Sequence, residues 1–565
     1  MSPNADASRP QWPIDGLSQV RGRTDPPLSD ATVHRLLADT VRRWPERRAV
    51  VFREQGVRWS WGEFLAEVDA LASGLHALGL RRGERVGIWS PNRAEWLVTQ
   101  FATARIGLVL VNINPAYRLS ELEYALGVSG CRAVISAERL KTSMYLEMLA
   151  KVAPRLPALE FIIRMGDGLT PGMLNYPDVL ARGRAVQDGA GLDALEAPLD
   201  RHDPINIQFT SGTTGNPKGA TLTHHNIVNN ARYIALAMWL GEDDALCIPV
   251  PLYHCFGMVL AVLACVASGA AMVFPGESFE PAATLAAVAE ERCTALHGVP
   301  TMFIAELDHP GFTEHDLSSL RTGIMAGSPC PIETMKRVVS QMHMREVTIA
   351  YGMTETSPVS FQSSTSDPID RRVATVGRVQ PHLEVKLVDA EGGTVPVGEI
   401  GELCTRGYSV MQGYWGDEAR TREAVQDGWM HTGDLATIDA EGYCNIVGRV
   451  KDMLIRGGEN VYPREVEEFL FRHPKVQSVQ VFGVPDPKYG EEVCAWIVLK
   501  PGTEATAEEI REFCREQIAH YKLPRYIRFL KDMADMPMTV TGKAQKFVMR
   551  ERMMAELGIA ENRTA

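Results

Sequence analysis

Apolar positions recur at helical spacing over residues 31–43 and 61–78, and the short runs 49–53 and 57–59 between them predict a β-hairpin. From residue 85 the pattern settles into alternation. Runs at 85–88, 108–112, 133–136 and 161–164 read as strands, and stretches at 94–104, 119–126 and 140–152 read as helices. Such alternation implies right-handed crossovers and a largely parallel sheet covered by helices on both faces. Residues 167–204, rich in Gly, Asp and Pro, predict an irregular connector. Beyond it, 205–209 reads as a buried strand and 223–238 as a helix, and strands resume at 245–250, 271–274, 295–298, 322–325 and 346–350.

Two changes of texture follow. From about residue 376, short β runs (385–388, 402–405, 442–447) separated by turn signals predict a β-rich subdomain spanning about 376–447. After Gly448, a helix at 466–471, strands at 476–483 and 492–499, a helix at 507–520 and a strand at 527–529 predict a compact α+β module of separate-domain size. The expected fold class is α/β. A large N-terminal domain, residues 1–449, holds parallel-rich sheets with helices plus the β-rich subdomain, and a small mobile C-terminal α+β domain occupies 450–565.

Residues 245–276 contain no Asp, Glu, Lys or Arg and are long enough to span a bilayer. Pro249, Pro251 and His254 interrupt the first third, and Gly269 separates a helix-like 256–268 from a strand-like 271–274. The stretch therefore reads as a buried strand-loop-helix-strand, and no transmembrane segment is expected.

Composition narrows the picture. A chain of 565 residues is too long for one hydrophobic core. Seventy acidic against 58 basic side chains, a net charge of -12, argue against nucleic acid as a partner, while leaving room for a bound nucleotide. The ten cysteines are scattered, with no C-x-x-C pair and no zinc spacing, and read as reduced, buried side chains. Residues 1–27 are polar, Pro-rich and acid-containing, unlike a signal or transit peptide, so a cytoplasmic protein is expected. Oligomeric state, a homodimer included, is not readable.

Candidate chemistry starts at residues 210–219, Thr-Ser-Gly-Thr-Thr-Gly-Asn-Pro-Lys-Gly. Glycines admit close backbone approach, hydroxyls and N–H groups donate hydrogen bonds, and Lys218 supplies a cation for phosphate oxygens. A Walker loop is excluded because Lys218 is followed by Gly219. A polar surface loop is the alternative. Four further stretches fall where ligands bind in open α/β sheets, just beyond strands. His254 lies in Pro-Leu-Tyr-His-Cys-Phe-Gly, as a ligand-facing or a core histidine. Residues 326–330, Ala-Gly-Ser-Pro-Cys, form a small-residue turn that could approach a flat ring. Residues 351–358, Tyr-Gly-Met-Thr-Glu-Thr-Ser-Pro, offer an aromatic face, hydroxyls and Glu355, a carboxylate suited to Mg²⁺ beside substrate phosphates or to a helix cap. Asp434 and Arg449 could address sugar hydroxyls.

Taken together, and in order up to the Pro-Met-Thr-Val-Thr-Gly-Lys of residues 537–543, these motifs resemble those of the adenylate-forming superfamily of acyl-CoA synthetases, luciferases and carrier-protein adenylation domains. The wording of 298–303 and 349–361 is most similar to medium-chain and general fatty acyl-CoA synthetases. The resemblance implies two-step chemistry: a fatty carboxylate and ATP form an acyl-adenylate, which coenzyme A converts to acyl-CoA with release of AMP. It implies that Thr210, Ser211, Gly212, Thr213, Thr214, Gly215, Asn216, Pro217 and Lys218 hold the β- and γ-phosphates. Gly327, Ser328 and Tyr351 would border the adenine, Gly352 would belong to the same ATP site, Asp434 would bind the ribose, and Arg449 would support the ribose and hinge. Thr354 and Glu355 would handle the α-phosphate and Mg²⁺, Glu355 as metal ligand, and Lys543 would bridge acyl carboxylate and α-phosphate.

The same resemblance implies a hinge near 449–452 with Lys451 at its centre and a coenzyme A tunnel at Gly457, Gly458 and Glu459. It also places an acyl pocket at Tyr233, Ala237, Met238, His254, Phe256, Gly257, Val299 and Pro300, with His254 counted among the catalytic residues. Lys546 stands where many members carry Arg. An aryl or branched acid, a carrier-protein acceptor and a catalytically silent homologue remain as alternatives.

Overall fold

The computed structural model describes residues 13–186, 189–210, 217–328, 330–515, 517–539 and 542–559. Two large sheets carry the first part of the chain. The eight-stranded sheet runs, edge to edge, Leu174–Asn175, Phe161–Arg164, Cys131–Ser136, Arg85–Trp89, Val109–Asn112, Pro204–Thr210, Lys218–Thr223 and Gly413–Tyr414. It is parallel as far as Pro204–Thr210 and antiparallel from there on. The nine-stranded sheet runs Arg378–Val379, Val359–Gln362, Glu346–Gly352, Thr322–Ala326, Ala295–Gly298, Ala245–Cys247, Ala271–Phe274, Arg48–Phe52 and Val57–Ser60, with a parallel centre. The predicted hairpin of 49–53 and 57–59 forms this sheet's edge, where Phe52 stacks on Phe274 at 4.1 Å.

Helices and strands pack into a continuous apolar core that includes Trp61, Trp89, Trp96 and Phe101, all fully buried. The helix Trp61–Ala77 starts at a capping box in which the Ser60 hydroxyl accepts from the Glu63 N–H and the Glu63 carboxylate accepts from the Ser60 N–H. The charge-free stretch folds as strand Ala245–Cys247, a π-helix Phe256–Leu263 continued by the α-helix Ala264–Ser268, and strand Ala271–Phe274, all buried but for the half-buried Ala267 and Ser268. No helix among the described residues is long and apolar enough to cross a membrane.

A six-stranded antiparallel sheet (Gln19–Arg21, Leu383–Val388, Gly401–Gly407, Trp429–Ile438, Val425–Gln426, with Cys444–Arg449 on Trp429–Ile438) forms the β-rich part. The described residues between 454 and 559 build a five-stranded sheet with core clusters of its own, around Val466, Val481 and Ile497 on one face and Phe482, Trp496 and Met549 on the other.

Several local expectations are corrected. Residues 167–204 are not an irregular connector: they contain the helices Tyr176–Val186 and Gly189–Glu196. Tyr176–Val186 lies against Trp61–Ala77 so closely that a Cβ on Gly183 would stand 1.8 Å from the Ala70 carbonyl oxygen. The glycine that reads as a breaker in sequence is a packing surface in space. Residues 218–223, left without an element in the sequence reading, are a strand paired antiparallel with Pro204–Thr210, ahead of the helix His224–Ala237. The helix expected over 140–152 starts only at Tyr145, after a two-stranded turn formed by Arg139–Leu140 and Ser143–Met144. The helix expected over 507–520 ends at Cys514, and a C-terminal helix, Lys546–Leu557, went unread because its hydrophobic stripe is mostly methionine.

Candidate functional site

Strand ends from both large sheets, two paired strands of the β-rich sheet and a loop of the C-terminal unit converge on one crevice. Strand Pro204–Thr210 delivers Thr210, strand Thr322–Ala326 delivers Gly327 and Ser328, and strand Glu346–Gly352 delivers Tyr351 and the single 3₁₀ turn Thr354–Thr356. This is the carboxyl-end position that open α/β sheets reserve for ligands. Gly352 is required here: a Cβ would lie 1.7 Å from the Pro358 carbonyl oxygen, where the Glu346–Gly352 strand bulges against Val359–Gln362.

Glu355 is buried. Its Oε1 accepts from the Tyr414 hydroxyl at 2.9 Å and the Thr210 hydroxyl at 3.3 Å. Among the described residues no hydrogen bond occupies Oε2. Lys218 places its ammonium 4.9 Å from the centroid of the Tyr414 ring, with Pro217 just before it. Burial, and then the Glu355 carboxylate, push the Tyr414 phenol up, so it stays a proton donor to Glu355. One free carboxylate oxygen beside a hydroxyl and a lysine fits a Mg²⁺ ion shared with substrate phosphates. Ser211, Gly212, Thr213, Thr214, Gly215 and Asn216 lie outside the described residues.

Asp434 is held by two partners. The Tyr351 hydroxyl donates to Oδ2 at 2.6 Å and Arg449 Nε donates to Oδ1 at 3.1 Å. Burial and the adjoining Asp434 carboxylate hold the Tyr351 phenol well above its ordinary range. Asp434 reaches this position because its strand bulges. Glu402 pairs with Leu435 but Cys404 pairs with His431, and Gly433, at φ +70°, turns the chain between them.

Lys543 arrives from the other unit. Its loop is closed by Thr539 N–H to Lys543 O at 2.8 Å and Lys543 N–H to Thr539 Oγ1 at 3.0 Å. Gly542 packs so tightly on the large domain that a Cβ there would meet Thr301 Oγ1 and Val299 Cγ2, each at 3.1 Å. Burial pulls the Lys543 ammonium below its ordinary value and Arg449 adds to this, while Cys255, Asp434 and Glu355 act in the opposite direction. Lys543 therefore shares one electrostatic environment with both carboxylates.

His254 completes the near side. Its Nδ1 accepts from the Phe256 N–H at 3.1 Å, which leaves Nε2 to carry the proton. Burial, with Lys543 contributing, pushes the imidazole down to about 3, so it is neutral at physiological pH. The Cys255 sulfur lies 3.8 Å from the Thr354 hydroxyl, joining this segment to the Thr354–Thr356 turn.

Phe256, Val299, Met302 and Met238 share one apolar cluster with the π-helix, and Pro300 and Gly257 are buried beside them. Ala237 is half-buried on the same helix as Met238. Tyr233 is not brought to this group. It projects into the other core, donates to the Pro26 carbonyl at 2.9 Å and stacks near His382 and Tyr408. It is excluded because a helix of 3.6 residues per turn points Tyr233 and Met238 to different faces.

Gly457, Gly458 and Glu459 are exposed on the turn joining Leu454–Arg456 to Glu459–Val461, with Gly457 N–H bound to Tyr489 O at 2.8 Å, and they do not line the crevice. Lys451 is exposed in the turn closed by Met453 N–H to Arg449 O at 3.0 Å. Lys546 pairs with the buried Glu467 at 2.7 Å, inside its own unit.

Three residues escaped the sequence reading. Tyr414 carries half of the Glu355 grip. Asn92 binds Val250 O at 3.0 Å and Leu252 N–H at 2.8 Å, and Asn112 donates to Tyr253 O at 2.8 Å, so two buried amides set the segment that carries His254. Asn112 had a signal, a polar residue ending the apolar run 108–111, and Asn92 and Tyr414 had none.

Comparison with known proteins gives the same outline. The family model "AMP-binding enzyme" matches residues 37–415, and "AMP-binding enzyme C-terminal domain" matches residues 465–543. The YngI protein of Bacillus subtilis (strain 168) is 49% identical over 542 residues, covering 93% of this chain and 97% of that protein. The mitochondrial medium-chain acyl-CoA ligase ACSF2 of Danio rerio is 46% identical over 567 residues, covering 97% and 93%. Among solved structures, the anthranilate CoA ligase AuaEII in complex with anthranoyl-AMP superimposes with a TM-score of 0.85 at 29% identity, over 95% of this chain and 99% of that one. With its lysine loop from the C-terminal unit meeting strand ends of the large one, this chain belongs to the AMP-binding enzyme family.

Proposed function

We propose that the protein is an AMP-forming fatty acyl-CoA synthetase acting on medium- to long-chain acids. The observation that carries this reading is the meeting of Lys543 with the buried carboxylates Glu355 and Asp434, with Arg449 and with His254 in one partly buried site. In the first half-reaction a carboxylate oxygen attacks the α-phosphorus of ATP and pyrophosphate leaves. Lys543 stabilises charge on the acyl carboxylate and α-phosphate, and Asp434 and Arg449 position the ribose. Thr210, Lys218 and the loop between them hold the leaving group. Glu355 would hold a Mg²⁺ ion, which would supply charge neutralisation at the phosphates. No enzyme nucleophile is needed, since preorganised charge and alignment lower the barrier.

In the second half-reaction the coenzyme A thiol attacks the acyl carbonyl and AMP leaves. The present arrangement, with Lys543 seated and Gly457 to Glu459 turned to solvent, suits the first half-reaction. The second requires the C-terminal unit to turn about residues 449–452, bringing the Gly457–Gly458–Glu459 turn to the crevice. The acyl chain enters the cluster of Phe256, Val299 and Met302, where each buried methylene contributes about 0.8 kcal/mol.

The test is pyrophosphate and AMP release across a panel of straight-chain, branched and aryl acids, with coenzyme A present and absent. Straight-chain medium acids should give the highest kcat/KM, with AMP formed stoichiometrically with acyl-CoA. A preference for aryl or branched acids would replace the acyl assignment, and turnover only with a carrier protein would replace the acceptor.

A further inference from the structure

The bulge that presents Asp434 is tied on its other side by three side chains with metal-ligating atoms. Glu402, Cys404 and His431 place one ligand atom each within 4.8 Å of one another, and among the described residues no other trio of His, Cys, Asp or Glu does so. The arrangement follows from the ladder. Glu402 and Cys404 are two apart on one strand and share a face. His431 is the direct cross-strand partner of Cys404, and the residues inserted at 432–434 let it reach Glu402 as well.

Two of the three edges are close to those of a tetrahedron, and the third, between Cys404 Sγ and the Glu402 carboxylate, lies within 4.8 Å. Bonds of about 2.3 Å from zinc to sulfur and about 2.05 Å to nitrogen or oxygen give edges of about 3.5 Å between sulfur and nitrogen and about 3.3 Å between nitrogen and oxygen. Here Cys404 Sγ lies 3.5 Å from His431 Nδ1, and Nδ1 lies 3.0 Å from Glu402 Oε2. Glu402 Oε1 is already engaged by the Gly433 N–H at 3.0 Å, a contact that orients the carboxylate as outer hydrogen bonds orient metal ligands. Cys404 is fully buried, while the Glu402 and His431 side chains are each 27% exposed, so the fourth position opens to water. Lys386 stands opposite Cys404 in the neighbouring ladder with its ammonium 4.8 Å from the Trp429 ring, a cation beside the thiol that must ionise on coordination.

We propose that Glu402, Cys404 and His431 form a zinc site, with water as the fourth ligand, that clamps the bulge bearing Asp434. Thiolate, imidazole and a single carboxylate select a borderline-soft ion such as Zn²⁺ over the Mg²⁺ that accompanies ATP. The site is distinct from Glu355 and takes no part in the chemistry.

The test uses the full chain stripped with a chelator and then titrated with Co²⁺, whose tetrahedral thiolate sites show intense visible bands and a near-ultraviolet sulfur-to-metal transition. One equivalent should produce these bands, Zn²⁺ should bleach them, and Zn²⁺ should raise the unfolding midpoint. In Cys404→Ser the near-ultraviolet transition should vanish. In Cys404→Ser and in His431→Gln, Zn²⁺ affinity should fall on the order of tenfold or more, and the Zn²⁺-dependent rise in midpoint should disappear. Absence of a stoichiometric cobalt spectrum, or equal Zn²⁺ affinity in wild type and both variants, would overturn the proposal. If Cys404→Ser does not fold, the His431→Gln titration decides alone.

Discussion

At the scale of single residues, the strongest expectation concerns Lys543. Removing one preorganised donor from a charge-stabilising site costs about 10²- to 10³-fold, so Lys543→Ala should lower adenylate formation by about that factor. Thioester formation from supplied acyl-AMP should survive, because Lys543 serves the first half-reaction. Single-turnover measurement of each half-reaction separates the two, and equal losses would remove the assigned role. Tyr414→Phe should be milder. It deletes one of two hydroxyls on Glu355 Oε1, a charged hydrogen bond of about 1.5 to 3 kcal/mol. A drop in kcat/KM of about tenfold or somewhat more, with a raised Mg²⁺ requirement, is the expected result; an unchanged Mg²⁺ titration would detach Tyr414 from the metal.

Buried histidines contribute to the loss of stability in acid. Burial pushes His224 and His297 down to about 4 from an ordinary 6.5. Both are fully buried, and His297 is fixed as a neutral ring, with Nε2 on Leu260 O at 3.1 Å and Nδ1 accepting from Ile324 N–H at 3.2 Å. Between pH 6.5 and about 4 the unfolded chain takes up protons that the folded chain refuses, so stability falls as pH falls through that window. The limiting slope is about 1.4 kcal/mol per pH unit for each histidine. Urea unfolding at pH 7 and pH 5.5 checks this, and His297→Gln should flatten the dependence.

At the scale of elements, two contacts are decisive. Helix Tyr176–Val186 depends on Gly183 lying against Ala70, so Gly183→Val should destabilise the protein by about 3 kcal/mol or more, while leaving the KM for ATP unchanged. The segment 449–452 is the proposed pivot. Lys451→Pro fixes one φ there, and should leave adenylate formation near normal while slowing acyl-CoA formation. A mutant with a normal acyl-CoA rate would refute the pivot.

Element type was readable because periodicity records how often a residue is buried along its own chain. Strands such as Phe161–Arg164 and Ala271–Phe274 coincide with their apolar runs. Boundaries failed where context overrides propensity. Residues 218–223 mix Lys, Gly and Thr and become a strand only because Pro204–Thr210 offers a partner on one side and Gly413–Tyr414 on the other. Gly183 looks like a helix breaker until the helix it allows to approach is in view.

At the scale of the whole molecule, the site is an assembly of parts far apart in sequence. Gly542 seats the Lys543 loop on Val299 and Thr301 across the two units. A reporter pair at exposed Glu459 and exposed Leu236 should therefore change separation when acyl-AMP and coenzyme A are supplied together, and not with ATP alone. A constant separation in every ligand state would leave the C-terminal unit immobile and the proposed second half-reaction without a route.

The chain's own order determined the alternation of strands and helices, the change to a β-rich and then an α+β texture, and the motifs that announce a phosphate grip, a carboxylate and a distant lysine. These are local properties: hydrophobic period, turn chemistry and residue type. Tertiary structure alone decided that Tyr414 grips Glu355, that Tyr351 donates to Asp434, that Asn92 and Asn112 aim the His254 segment, that Tyr233 faces away, and that Cys404 meets His431. Each is a pairing across tens to hundreds of residues. A one-dimensional pattern shows that a residue is buried; only the register and packing of sheets select the atom it is buried against.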